Sequence, residues 1–179
     1  MAYNVKDVFY LDVAVDTGTG TGANTKQLDL SSYIDPIARR GSKAQGLAIY
    51  KVQTSFTQGN NSVVDKAEDG SMRYGLIAGL GAGDQTGISL TADTITADND
   101  LCVAAGDYYG PATADSAANG MFLMPDADVP YIVVRDNACL VVDIDDDFNA
   151  TITVGMRLSC AVVTLDQSTL NQLLRTQTV

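Results

Sequence analysis

From Thr151 to Val162 the chain alternates without a break. Ile152, Val154, Met156, Leu158, Cys160 and Val162 take one set of positions, and Thr151, Thr153, Gly155, Arg157, Ser159 and Ala161 take the other. Successive side chains of a strand point to opposite faces, so a period of two over this length predicts a long β-strand with one buried face. Just before it, Leu140, Val142 and Ile144 alternate with Val141, Asp143 and Asp145. The intervening Asp146-Asp147-Phe148-Asn149 has the polar, turn-forming character of a tight connection. Residues 139–163 therefore read as an antiparallel hairpin.

Shorter apolar or β-branched runs repeat the pattern at Val8 to Val15, Gln27 to Leu30, Leu47 to Phe56, Met72 to Ile77, Ile88 to Leu90, Leu101 to Ala104 and Tyr131 to Val134. Gly, Asp, Asn or Pro separates most of them, which predicts an all-β sandwich or barrel of eight or nine strands. Helical periodicity is confined to the tail from Asp166 to Arg175. There Asp166 or Ser168 can cap, Leu170, Leu173 and Leu174 form an apolar stripe, and Arg175 sits near the C-terminal end. The expectation is that this stripe is buried on its own subunit, because a free one invites aggregation. The 179 residues show no internal repeat and no dividing linker, and read as one domain over 1–179.

The acidic residues reinforce the all-β reading. Of 22 acids, 21 are Asp and one, Glu68, is Glu, although Glu is the better helix former and Asp the better turn and cap residue. Against 11 Lys and Arg they leave a formal charge of −11, which repels phosphate backbones and argues against direct nucleic-acid binding. Such a surface suits a high-salt, halophilic setting, and suits an ordinary acidic protein equally well.

The function classes narrow most sharply on histidine, of which there is none. Ser-His-Asp and Cys-His nucleophilic systems, His-ligated zinc or iron, and the metal site of cupin-type jelly rolls are thereby removed. Cys102, Cys139 and Cys160 are too widely spaced for a CxxC pair and read as core residues. Gly18-x-Gly20-x-Gly22 and Gly79-x-Gly81-x-Gly83 lack the GxGxxG spacing and a following helix, and Gly41-Ser42-Lys43 is no phosphate loop. Asp143, Asp145, Asp146 and Asp147 make the densest carboxylate cluster; a cation or plain hydration would relieve their repulsion, and hydration is the favoured reading. A carboxylate-dependent hydrolase stays conceivable, though the absence of Trp removes the best sugar-stacking surface.

Asn60-Asn61-Ser62 and Asn149-Ala150-Thr151 match the N-glycosylation pattern, and Arg39-Arg40 is a small basic point. The opening residues have no basic start followed by an apolar stretch, and no run reaches membrane-span length, so synthesis and folding in the cytoplasm are expected. Thr17 to Asn24, Gly79 to Gly87 and Asp107 to Gly120 read as long, small-residue loops of the kind that bind something or pack on a partner. No catalytic, cofactor-binding or metal-binding residue is assigned, and no cofactor or small-molecule substrate is expected.

This layout runs from an N-terminal strand (VFYLDVAVD) through LAIYKVQTSF and a loop-broken middle to CLVVDIDDDFNATITVGMRLSCAVVTL and a tail helix. It resembles the small single jelly-roll major capsid proteins of membrane-containing icosahedral viruses of haloarchaea and thermophilic bacteria. The resemblance implies an upright eight-stranded barrel in the virion shell, pairing with copies of itself and with a second, larger coat protein above an internal viral membrane. It also leaves room for an unpaired cysteine bridging subunits. Two other classes remain open: a phage tail-tube, decoration or spike protein, and a β-sandwich binding module or hydrolase.

Overall fold

The structure, a computed structural model, describes residues 7–18, 20–35, 43–59, 64, 69–79, 91–110 and 118–177. Among them the elements are β1 (Phe9–Asp16), β2 (Gly22–Asp29), β3 (Ala44–Gln58), β4 (Gly70–Ala78), β5 (Cys102–Gly110), β6 (Ala118–Leu123), β7 (Tyr131–Val133), β8 (Asn137–Asp146), β9 (Ile152–Leu165) and α1 (Gln167–Thr176). They build two antiparallel sheets, ordered β1-β9-β3-β7 and β2-β8-β4-β5-β6. The chain is all-β with a short C-terminal helix.

The pairing defines the connectivity. β1 lies against β9, β2 against β8, β3 against β7 and β4 against β5. First strand with last, second with next to last: this is an antiparallel ribbon folded over on itself, the jelly roll, with β6 added at one edge.

Residues 139–163 are therefore two strands but not a hairpin. β8 bonds β2 and β4 in one sheet, while β9 bonds β1 and β3 in the other. Alternation reports that a segment is a strand with one buried face and is silent on its partner. What carries the chain across is Phe148, which is buried at the sandwich end with its ring 5.8 Å from that of Tyr108. Gly70 lies beneath the ring, and a Cβ there would meet it at 2.6 Å.

The main core fills the space between the sheets. Ile152, Val154, Met156, Leu158 and Cys160 of β9 are all 2 % exposed or less, opposite Leu76, Leu140 and Val142 of the other sheet. Removing each such aliphatic chain from water contributes about 1.5–3 kcal/mol. The predicted alternation of β9 holds as far as Cys160, but Val162 is 40 % exposed. Beyond that point burial passes to the opposite face, where Val163 and Leu165 meet α1. A bulge at Tyr50 similarly shifts the phase of β3, so that Leu47 and Ile49 before it and Val52 after it all point inward.

The helix behaves as its stripe predicts. Asp166 caps it by accepting the Thr169 N–H at 2.7 Å, and Leu170 is buried against Ala44, Val134 and Leu165 on its own chain. Two loop expectations need correcting. β2 starts at Gly22, inside the expected Thr17 to Asn24 loop, and the expected loop from Asp107 to Gly120 holds the end of β5 and the start of β6. β6 has Ala118, Asn119 and Gly120 all exposed, so it carries no buried-face rhythm to read. Ile88 to Leu90 lies outside the described residues.

Candidate interaction surface

The residues marked out by chemistry in the sequence do not converge. All three cysteines are free and buried, Cys160 in the main core and Cys102 and Cys139 in a second cluster outside the five-stranded sheet. Burial pushes the Cys102 thiol up to about 11 and that of Cys160 up to about 12. Neither a reactive thiolate nor a bridge to another subunit is available from such positions. Gly18, Gly20 and Gly22 all have positive φ, with open space where a Cβ would stand, and they lead into β2 instead of a helix. Gly81, Gly83, Arg39-Arg40 and Asn60-Asn61-Ser62 lie outside the described residues. Asn149 is exposed and donates to Asp69 Oδ1 at 2.5 Å.

The carboxylate cluster is split by the strand. Asp143 is half-buried and accepts the Ala92 N–H at 2.6 Å, while Asp145, Asp146 and Asp147 are exposed. Asp143 thus relieves its charge on a backbone amide of a distant segment, which sequence spacing does not reveal. Among the described residues no group of three or more Cys, Asp or Glu gathers closely enough to hold a metal ion.

Each sheet presents to solvent one arginine locked to a cross-strand aspartate beside an aromatic ring. On the five-stranded sheet Arg73 Nε donates to Asp107 Oδ1 at 2.7 Å and Nη2 to Oδ2 at 3.3 Å, with the guanidinium 5.3 Å from the Phe122 ring centre. On the four-stranded sheet Arg157 Nε donates to Asp12 Oδ1 at 2.7 Å, 5.9 Å from the Tyr10 ring. Hydrogen bonding to the aspartate raises the pKa of both arginines. The depressions beside them, about 670 Å³ around Arg73, Asp107 and Asp143 and about 580 Å³ around Gly155, are open. Neither offers a converging acid, base and nucleophile.

The feature that composition did not reveal is apolar. Phe122 (45 % exposed), Met124 (57 %) and Val129 (74 %) stand in water in and just after β6, the outermost strand of its sheet. Pro125 and Pro130 lie beside Met124 and Val129. Exposed apolar groups gathered at one place mark interaction surfaces more often than do scattered ones. The run ANGMFLMP, with no charge in a chain of −11, was the available signal, and the surrounding loop-like composition masked it.

A scan against protein-family models and a search of curated proteins give no match to this chain. No helix among the described residues is long and apolar enough to cross a membrane.

Proposed function

We propose that this chain is a structural virion protein, a major capsid protein that assembles through its subunit interfaces into an icosahedral shell. The observation that carries the reading is the folded-over ribbon of paired strands. A jelly roll is one of the few architectures used repeatedly for coat subunits, lectins and cupins. The cupin branch needs metal-binding histidines that this chain does not have, and the lectin branch leans on aromatic stacking surfaces that are scarce here. The capsid branch asks only for a rigid sandwich with surfaces that bind other subunits. Fold analogy is its warrant, and function belongs to surfaces more than to folds.

On this reading the chain is not an enzyme, resides in the virion, and has copies of itself and a second coat protein as partners, near an internal viral membrane. Its charge keeps it off the genome. Electron microscopy and native mass measurement of the purified protein and of its parent particles provide the test. Closed shells or capsomers containing this chain are expected. Open tubes or stacked rings would transfer the assignment to a tail-tube protein, and a persistent monomer absent from any particle would overturn it.

A further inference from the structure

We infer that the outer edge of β6 is where two copies of this chain join, strand against strand. The four sheet edges, β1, β7, β2 and β6, are not treated alike. An unpaired strand presents a row of backbone donors and acceptors that will accept another chain, and proteins that avoid this shorten, charge or cover their edges.

Three edges here are protected. β7 has three residues, and the Gln177 side chain stands where a further strand would run. Its Oε1 accepts the Val134 N–H at 3.1 Å and its Nε2 donates to the Ile132 carbonyl at 2.6 Å, while Arg135 Nε donates to the Gln177 carbonyl at 3.1 Å. The primary amide reproduces the donor and acceptor of a backbone, and Gln177 is 4 % exposed in doing so. β1 carries exposed Asp16, β2 carries exposed Lys26 and Asp29, and these two strands run close together on one side of the sandwich.

β6 has none of these protections. It runs for six residues without a charge, and among the described residues no strand pairs with its outer side. Its exposed Phe122 continues into exposed Met124. Asp107, which pairs across from Gly120 on the neighbouring strand, is already neutralised by Arg73.

The same charge pattern selects the occupant. Two bodies of charge −11 repel over most of their surfaces and can approach closely only where both are neutral, and residues 116–125 contain no charged side chain. A basic partner finds no carboxylate on this strand to answer. A second copy brings an identical neutral, extended edge, and a two-fold axis sets two such strands antiparallel, with the apolar side chains of each beside those of the other. The two five-stranded sheets then become one continuous sheet.

This deepens the shell reading by naming one of its contacts. The test is sedimentation equilibrium of the intact protein at moderate ionic strength, comparing wild type with Phe122→Glu/Met124→Glu and with Tyr10→Glu on the opposite sheet. The wild type is expected to dimerise, the double variant to raise the dimer Kd at least tenfold, and Tyr10→Glu to leave it unchanged. Hydrogen exchange on the wild type alone covers the case of a misfolded variant: the amides of 118–124 should gain protection as concentration rises. A wild-type monomer at every concentration, an unchanged Kd in the double variant, or concentration-independent exchange there would each overturn the inference. Dimers that never form particles would remove the shell reading and keep this contact. Particles built equally well by the double variant would do the reverse.

Discussion

Each sheet of the sandwich has an apolar stretch on its outer face, and the two stretches are covered in different ways. On the four-stranded sheet the cover is α1, a capped helix that lays Leu170 on Ala44, Val134 and Leu165. On the five-stranded sheet the cover is the irregular segment 91–101, which lays Ile95 among Ile77, Cys102, Cys139 and Val141. The helix satisfies most of its own backbone and is tied to the sheet at its end, through Gln177. The irregular segment opens with a single 3-10 turn at Ala92–Thr94 and is held at dispersed points: within itself by Asn99 Nδ2 to the Thr94 carbonyl at 2.7 Å, and to strands by the Ala92 N–H to Asp143 and the Tyr131 hydroxyl to the Asp100 carbonyl at 2.7 Å. A helix docked mainly by one apolar stripe and by Gln177 can leave and return as a unit, whereas a segment bonded to strands of both sheets cannot.

The largest effect is expected at Ile95, the more deeply buried of the two large side chains that the irregular cover inserts. Ile95 is fully buried, and its Cγ2 lies 2.5 Å from where a Cβ on Gly75 would stand. Ile95→Ala should cost about 3–4 kcal/mol in chemical denaturation, the usual range for emptying a rigid site. Gly75→Ala should cost about 1–3 kcal/mol by overpacking, since the added methyl also faces the Ala104 carbonyl. The informative measurement is the pair together: the methyl of one fills the space left by the other, so the double variant should be less destabilised than the sum. Strict additivity would mean that Ile95 does not seat on Gly75.

Leu170→Ala is expected to cost less, about 2 kcal/mol, although the residue is just as buried. The helix can undock once its anchor is gone, which caps the penalty at the free energy of docking. Hydrogen exchange should show it as early opening confined to residues 167–177, with the sheets unaffected. A global loss as large as that of Ile95→Ala would erase the distinction between the two covers. Between sheet and segment, Asp143→Ala removes the carboxylate that receives the Ala92 N–H. A cost of about 1 kcal/mol, with faster exchange of the Ala92 amide, is expected.

The same contrast explains what could be read from the chain and what could not. Leu170, Leu173 and Leu174 announce a helix because their period is contained in ten residues, and β9 announces itself through Ile152 to Cys160 for the same reason. Ile95 lies in TADTITADND, where one isoleucine among polar residues carries no period. Its meaning comes from a glycine on β4, and that of Asp143 from an amide 51 residues away. The crossing between β8 and β9 was hidden similarly, since period two is identical whether a strand bonds its neighbour in sequence or strands brought from elsewhere. The cysteines were legible as core because a buried thiol needs no partner. The β6 surface was not, because exposed Ala118, Asn119 and Gly120 are followed by four apolar residues in a row, 121–124, with no alternation to detect.

The smallest effect belongs to the helix cap, where it appears as a pH dependence. The Thr169 N–H donated to Asp166 holds this carboxyl below its ordinary value of 3.8. A carboxylate with a depressed folded-state pKa contributes stability that is fully present above its unfolded value and is lost as pH falls through the folded one. Acidification from about pH 4 downward should therefore loosen the first turn of α1 before it affects the sheets. Asp166→Asn keeps an acceptor for the Thr169 amide and removes the charge, so that amide should keep its exchange protection at neutral pH and lose its sensitivity to acid. If the variant and the wild type open alike as pH falls, some other acid controls the helix, and the independence of this cover from the rest of the sandwich would need a different explanation.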